Sequence, residues 1–215
     1  MEKVGDILAD LRPIHAPMIA RCRSDLLLGA ASSDRPLLKD VPQLVFMISS
    51  ESVEKACSEV GEYSDEMMVG EFDRFFRAQP AICDFVVEST HESGQKVQEL
   101  SLFLSYMIFK AVEMDTAGSV TKVSPETIEA GYRETESWME RLSQADATEL
   151  HASIAASLQH DTEPYLLQYV ISELNEPMDD GTELNEEEKG EVFFVAKTVI
   201  ESLKSQSKGR IIEVD

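Results

Sequence analysis

Between Gln95 and Asp115 the apolar residues fall on every side of the helix that their spacing implies: Leu100, Leu102, Phe103, Leu104, Tyr106, Met107, Ile108, Phe109, Ala111 and Val112. A helix that is apolar all round has no face to give to water, so it must lie at the centre of a fold with other helices around it. The rest of the chain supplies such an envelope. Periodicity of 3–4 residues recurs almost throughout, and no alternation of apolar and polar residues lasts long enough to argue a strand. The prediction is an all-α chain of about eight to ten helices in one compact multi-helix domain. No apolar run approaches the roughly 18 residues needed to cross a bilayer.

Cap and breaker residues set the expected boundaries. Short helices are predicted over 2–11 and 16–30, followed by a loop at Ser32–Pro36. Asp40 with Gln43 reads as a capping box that opens a helix ending at Gly61, with Val45, Ile48, Val53, Ala56, Cys57 and Val60 near one face. From Ser64 or Asp65 a helix runs to about Ala78 with a stripe of Met68, Phe72, Phe75 and Phe76. Pro80 opens another, in the first position that proline tolerates, with Ile82, Phe85, Val86 and Ser89 on its face and Gly94 as its break. Ser124-Pro125-Glu126 starts a helix whose stripe is Ile128, Tyr132, Met139 and Leu142, with Thr135 in the gap and Trp138 beside it. Asp146 with Glu149 opens a helix to about Gln159, and residues 164–176 and 185–206 form the last two. Asn185 with Glu188 caps the final helix, whose stripe is Val192, Ala196, Val199 and Leu203.

A short pattern recurs. Pro80, Ile82, Phe85, Val86 and Val87 return as Pro164, Leu166, Tyr169, Val170 and Ile171 at a constant offset, each set followed by a strongly apolar helix. This predicts two similar Pro-initiated helical hairpins, 80–115 and 164–206, related by duplication.

Charge divides the chain. The sequence carries 19 Lys+Arg against 41 Asp+Glu, a formal charge of -22. Residues 1–40 are neutral, because Lys3, Arg12, Arg21, Arg23, Arg35 and Lys39 offset Glu2, Asp6, Asp10, Asp25, Asp34 and Asp40. The expected organisation is a neutral helical segment, 1–40, packed on the main body, an acidic all-α domain, 41–206, and a frayed tail, 207–215. A surface this acidic repels phosphate backbones and anionic lipid headgroups. Partners are therefore expected to be proteins with basic or apolar surfaces, not nucleic acid or membrane, and a second copy of the chain is a candidate. Arg12–Arg23 is expected to pair with carboxylates of the main body or of that second copy. Cys22, Cys57 and Cys83 are odd in number and widely spaced, which fits neither a disulfide framework nor a zinc cage. With no signal peptide in the first residues, free thiols point to the cytoplasm.

Motifs that carry chemistry are sparse. Glu88-Ser89-Thr90-His91 is the sole Glu-x-x-His, a spacing that lets both side chains meet one metal from a helix face. A helical metalloprotein would join Glu88 and His91 to carboxylates of other helices such as Glu71, but half the usual ligand set is missing, and His91 also suits a helix C-terminus. The acidic stretch Glu176–Glu187 sits in an EF-hand frame with Gly181 sixth and Glu187 twelfth, yet Met178 stands where an oxygen ligand is needed and Leu184 at the ninth place. An acidic connecting loop capped by Asn185 is the expected reading. His151 has no nucleophile partner in the sequence, and His160-Asp161 reads as the start of a helix. No phosphate loop, nucleophile elbow or H-E-x-x-H occurs. No catalytic, cofactor-binding or metal residue is therefore assigned, and an enzyme is disfavoured. The expected function is a cytoplasmic protein-interaction or adaptor module acting through a groove between helical hairpins. The alternatives are the metalloprotein on Glu88 and His91 and an acidic decoy that imitates nucleic acid for a basic binding protein.

Overall fold

A computed structural model describes residues 48–143, 163–177 and 183–204. Seven helices lie in them: α1 (Ser50–Val60), α2 (Asp65–Ala78), α3 (Pro80–Ser89), α4 (Gln95–Asp115), α5 (Pro125–Ser143), α6 (Pro164–Asn175) and α7 (Glu186–Lys204). No strand occurs among the described residues, so the chain is all-helical there. The expected helices at 2–11, 16–30 and 146–159 fall outside them, as do Asp40 and the tail. No described helix is long and apolar enough to cross a membrane.

The all-round apolar helix is central, as its composition requires. In α4 every residue from Glu99 to Val112 is buried, and α7 is buried continuously from Val195 to Leu203. These two helices cross against each other. Helices α1 and α3 pack on α4, and α5 and α6 pack on α7. Three further contacts cross between the halves, α3 with α5, α6 with α1 and α3 with α7. All the buried apolar side chains form one continuous core.

The recurrent pattern has a physical counterpart. Gln79, before Pro80, has φ -132° and ψ 58°, and Glu163, before Pro164, has φ -133° and ψ 58°. Both are buried polar side chains. Each is used in the same way on the opposite half. The Val123 N–H donates to Gln79 Oε1 at 2.9 Å, and the Ile48 N–H donates to Glu163 Oε2 at 2.7 Å. Gln79 Nε2 also donates to the Thr121 carbonyl at 3.0 Å. Val123 and Ile48 each stand one residue before a serine cap. The Ser124 hydroxyl accepts from the Thr127 N–H, and the Ser49 hydroxyl from the Ser52 N–H. The match continues along α1 and α5. Lys110 lies over the Tyr63 ring at 5.7 Å and Lys197 over the Trp138 ring at 5.9 Å, but the carboxylates differ, since Lys110 pairs with Glu59 and Lys197 with Glu201.

Three local expectations are corrected. The helix ending at Gly61 begins at Ser50, because Ser49 is extended at φ -72° and ψ 150° and its hydroxyl satisfies a first-turn amide. Ser89 is exposed on α3, and the buried neighbour is Cys83. Tyr132 is 40% exposed. The position facing α7 is Gly131, where a Cβ would stand 2.7 Å from Ser202 Oγ and 3.0 Å from the Thr198 carbonyl oxygen. The caps expected at Ser64, Ser124 and Asn185 agree, while Asp146 with Glu149 lies outside the described residues. Asn185 Oδ1 accepts from the Glu187 and Glu188 amides at 2.9 and 3.0 Å, while its own N–H donates to Glu188 Oε2 at 2.8 Å.

Candidate functional site

The hydrogen bonds from Gln79 to 121–123 bring the start of α5 beside the start of α3. Between the two helices lies a groove of about 780 Å³. Two prolines, Pro80 and Pro125, stand at its helix-starting end, and Ala81, Phe85, Val123, Ile128 and Tyr132 give it apolar walls. Tyr132 is held upright by neighbours, edge-on to Phe85 at 6.5 Å and to Phe194 at 5.0 Å between ring centroids. Asp84, Glu88 and Glu129 form the rim, with Lys122 as its one cation.

The groove is built for contact and holds little that could react. Neither histidine nor cysteine is among the residues that line it. The Ser124 hydroxyl serves as the α5 cap and pairs with Thr127 Oγ1 at 3.2 Å. An apolar cleft of this size with a few polar groups at its edge is the usual form of a ligand or peptide site. The equivalent position to Ala81 in the other half is Tyr165, so a small residue stands here where the second half carries a large one.

The residues singled out for metal binding do not assemble. Glu88 lies on the groove rim. His91 is exposed past the end of α3, with Nδ1 3.0 Å from the Glu88 backbone carbonyl oxygen and Nε2 3.5 Å from Glu92. This is the helix-end role open to an imidazole. Glu71 is engaged on α2, accepting from Arg74 Nε at 3.1 Å, Arg74 Nη2 at 2.8 Å and the Tyr106 hydroxyl at 3.1 Å. Among the described residues no group of three or more His, Cys, Asp and Glu is placed to hold a metal. The centre of the acidic loop, residues 178–182, lies outside the described residues, as do His151, His160 and Asp161.

A second cluster, which spacing alone did not single out, joins α1, α2 and α4. Arg74 donates to Glu113 at 2.5 and 2.8 Å as well as to Glu71. The Lys110 side chain is 9% exposed, with Nζ 2.8 Å from Glu59, 3.6 Å from Glu71 and 3.9 Å from Glu113. Burial pushes the Glu71 carboxyl up, but the bonds and charge of Arg74, with Lys110 and Tyr106, outweigh it and hold it below its ordinary value. Glu59 is also lowered, chiefly by Lys110 and then by the Tyr63 hydroxyl, which donates to it at 2.5 Å. Burial would depress Lys110, yet its bonds to Glu59 and Tyr63 raise it. The cluster keeps its groups charged and paired, which suits a clamp between helices. It was missed because its members are spread over three helices.

No family model matches the chain, and neither a curated protein nor a solved structure is significantly similar to it.

Proposed function

We propose that the chain is a duplicated helical unit that works as a protein-interaction module, docking a basic, amphipathic protein segment in the groove between α3 and α5. The observation that carries this reading is the pairing of apolar walls with an acidic rim. Phe85, Ile128 and Tyr132 offer area for an aliphatic or aromatic anchor, and Asp84, Glu88 and Glu129 favour Lys or Arg beside it. Buried anchors supply most of the affinity at such sites, while rim charges speed encounter and select the partner. The net charge of -22 draws the same class of partner from a distance. Cytoplasmic location, from the odd number and wide spacing of the cysteines in the sequence, belongs to the same proposal.

Duplication supplies the test. Tyr at the position equivalent to Ala81 is accommodated in the other half, so Ala81→Tyr should fill the groove and leave the fold intact. Peptide-display selection on the immobilised protein is expected to enrich sequences that combine Lys or Arg with an apolar anchor. Their binding should fall at least tenfold in Ala81→Tyr, the loss of roughly 1.4 kcal/mol of contact. Enrichment of acidic sequences, or binding indifferent to Ala81→Tyr, overturns the groove. Basic proteins held equally by both forms would instead mark a nucleic-acid mimic acting through the whole surface.

A further inference from the structure

We infer that the groove between α3 and α5 selects its ligand by charge order, with Lys122 turning away uniformly basic segments, a selectivity that rests on the groove being the docking site. The segment that fits is an amphipathic helix. It puts one carboxylate at Lys122, an apolar stripe between the walls, and cations against Asp84 and Glu88.

The groove has two unlike ends. Gln79 binds the chain at Thr121 and Val123, so α3 and α5 start side by side. The contact of Phe85 with Tyr132 keeps them together farther along, so the two helices run in the same sense. Lys122 stands at the shared start. Asp84 lies one turn along α3 and Glu88 two, roughly 6 and 12 Å beyond Pro80. Glu129 lies one turn along α5 but is paired with Arg133. Asp84 and Glu88 carry no such partner. Among the described Lys and Arg side chains, Lys122 alone is engaged by nothing on the protein.

A chain of formal charge -22 draws every basic segment at long range and cannot tell one from another by that field. Discrimination needs a repulsive element at the contact. Lys122 is the one cation among the residues that line the groove. A Lys or Arg docked at the start of α3 and α5 meets a like charge there, whereas a Glu or Asp meets an opposite one. Farther along, the signs reverse. Asp84 and Glu88 stand one helical turn apart, so cations at i and i+4 of a docked helix face both at once. An acid in the first turn of that helix and bases in later turns also suit its own macrodipole. The segment therefore runs in the same sense as α3 and α5.

Two synthetic peptides of about 15 residues test this on the full chain. Both carry the apolar stripe, with Lys one and two turns beyond a first-turn position that is Glu in one peptide and Lys in the other. Fluorescence anisotropy is read near 0.15 M salt, where exposed charges are screened beyond roughly 8 Å. The Glu peptide is expected to bind about fivefold more tightly, although the Lys peptide is the more basic. In Lys122→Glu the preference should invert. Lys122 is exposed and outside the helices, so this variant should melt with the parent. A Lys peptide bound more tightly by both proteins, or a preference unmoved by Lys122→Glu, overturns the inference and leaves selection to net charge.

Ala81→Tyr keeps failure of the charge order apart from failure of the groove. Loss of both peptides in that variant, with no preference between them in the parent, upholds the groove and overturns the charge order. Binding that Ala81→Tyr leaves unchanged overturns both. Binding of neither peptide to the parent overturns the charge order, because the pattern is all that it asks of a ligand, and the groove is then decided by the display selection alone.

Discussion

The hydrogen atom that serves as the side chain of Gly131 sets how closely α5 lies on α7. Any larger residue meets Ser202 Oγ and the Thr198 carbonyl, and the serine hydroxyl is itself engaged, donating to that same carbonyl at 2.7 Å. The backbone oxygen cannot swing aside as a side chain can. Gly131→Ala is expected to cost about 1–3 kcal/mol in chemical denaturation, although alanine is the better helix former. An unchanged midpoint would mean that the two helices are not in such close contact. The same residue explains why the stripe of α5 was misread. Periodicity registers apolar side chains, so it placed Tyr132 on the buried face. A glycine carries no hydropathy signal for the closest approach in the helix, and the neighbouring tyrosine was left free to line a groove.

At the level of elements, the two proline-led helices do more than start alike. Gln79 holds the entry to α5 and Glu163 the entry to α1. If the two side chains are equivalent, Glu163→Gln retains an oxygen for the Ile48 amide and should be tolerated. Glu163→Ala leaves that buried amide without its acceptor, a loss of about 1–3 kcal/mol. Thermal unfolding of the two variants compares them directly, and equal destabilisation would deny the equivalence. The helices themselves were legible because their ends are chemically marked. Ser64, Pro80, Ser124, Pro164 and Asn185 each act by satisfying first-turn amides or by needing no partner. The start of α1 was less legible, because Ser49, which caps it, lies in a run of small polar residues where one serine looks like the next. The clasps were not legible, since a buried Gln or Glu before proline looks like any surface residue until the other half is packed against it.

For the molecule as a whole, acid should loosen what the ion cluster of α1, α2 and α4 clamps. Glu59 and Glu71 have folded-state pKa values below their ordinary value. Their contribution is therefore complete above the unfolded-state carboxylate pKa of about 4.3 and is lost as pH falls through the lower folded-state values. Glu71→Gln should melt below the parent at pH 7, with the gap narrowing as pH falls below about 4.3. A gap that stays constant as acid is added would show that geometry, not ionisation, carries the effect. Neither this cluster nor the groove could be read along the chain, because each is assembled from separate helices whose relative placement no local pattern encodes. What periodicity did give was the central place of α4, apolar all round, and the buried stripe of α7 at Val192, Ala196, Val199 and Leu203. The clasps also bear on the order of events at the ribosome. The partner of the Ile48 amide lies 115 residues further on. Synthesis at about 5–20 residues per second delivers Glu163 only roughly 6–20 s later. The segment that Gln79 holds follows it by only 44 residues, so both sides of that clasp exist while Glu163 is still to come. The leading half carries an open Ile48 amide until synthesis has reached Glu163 in the second half.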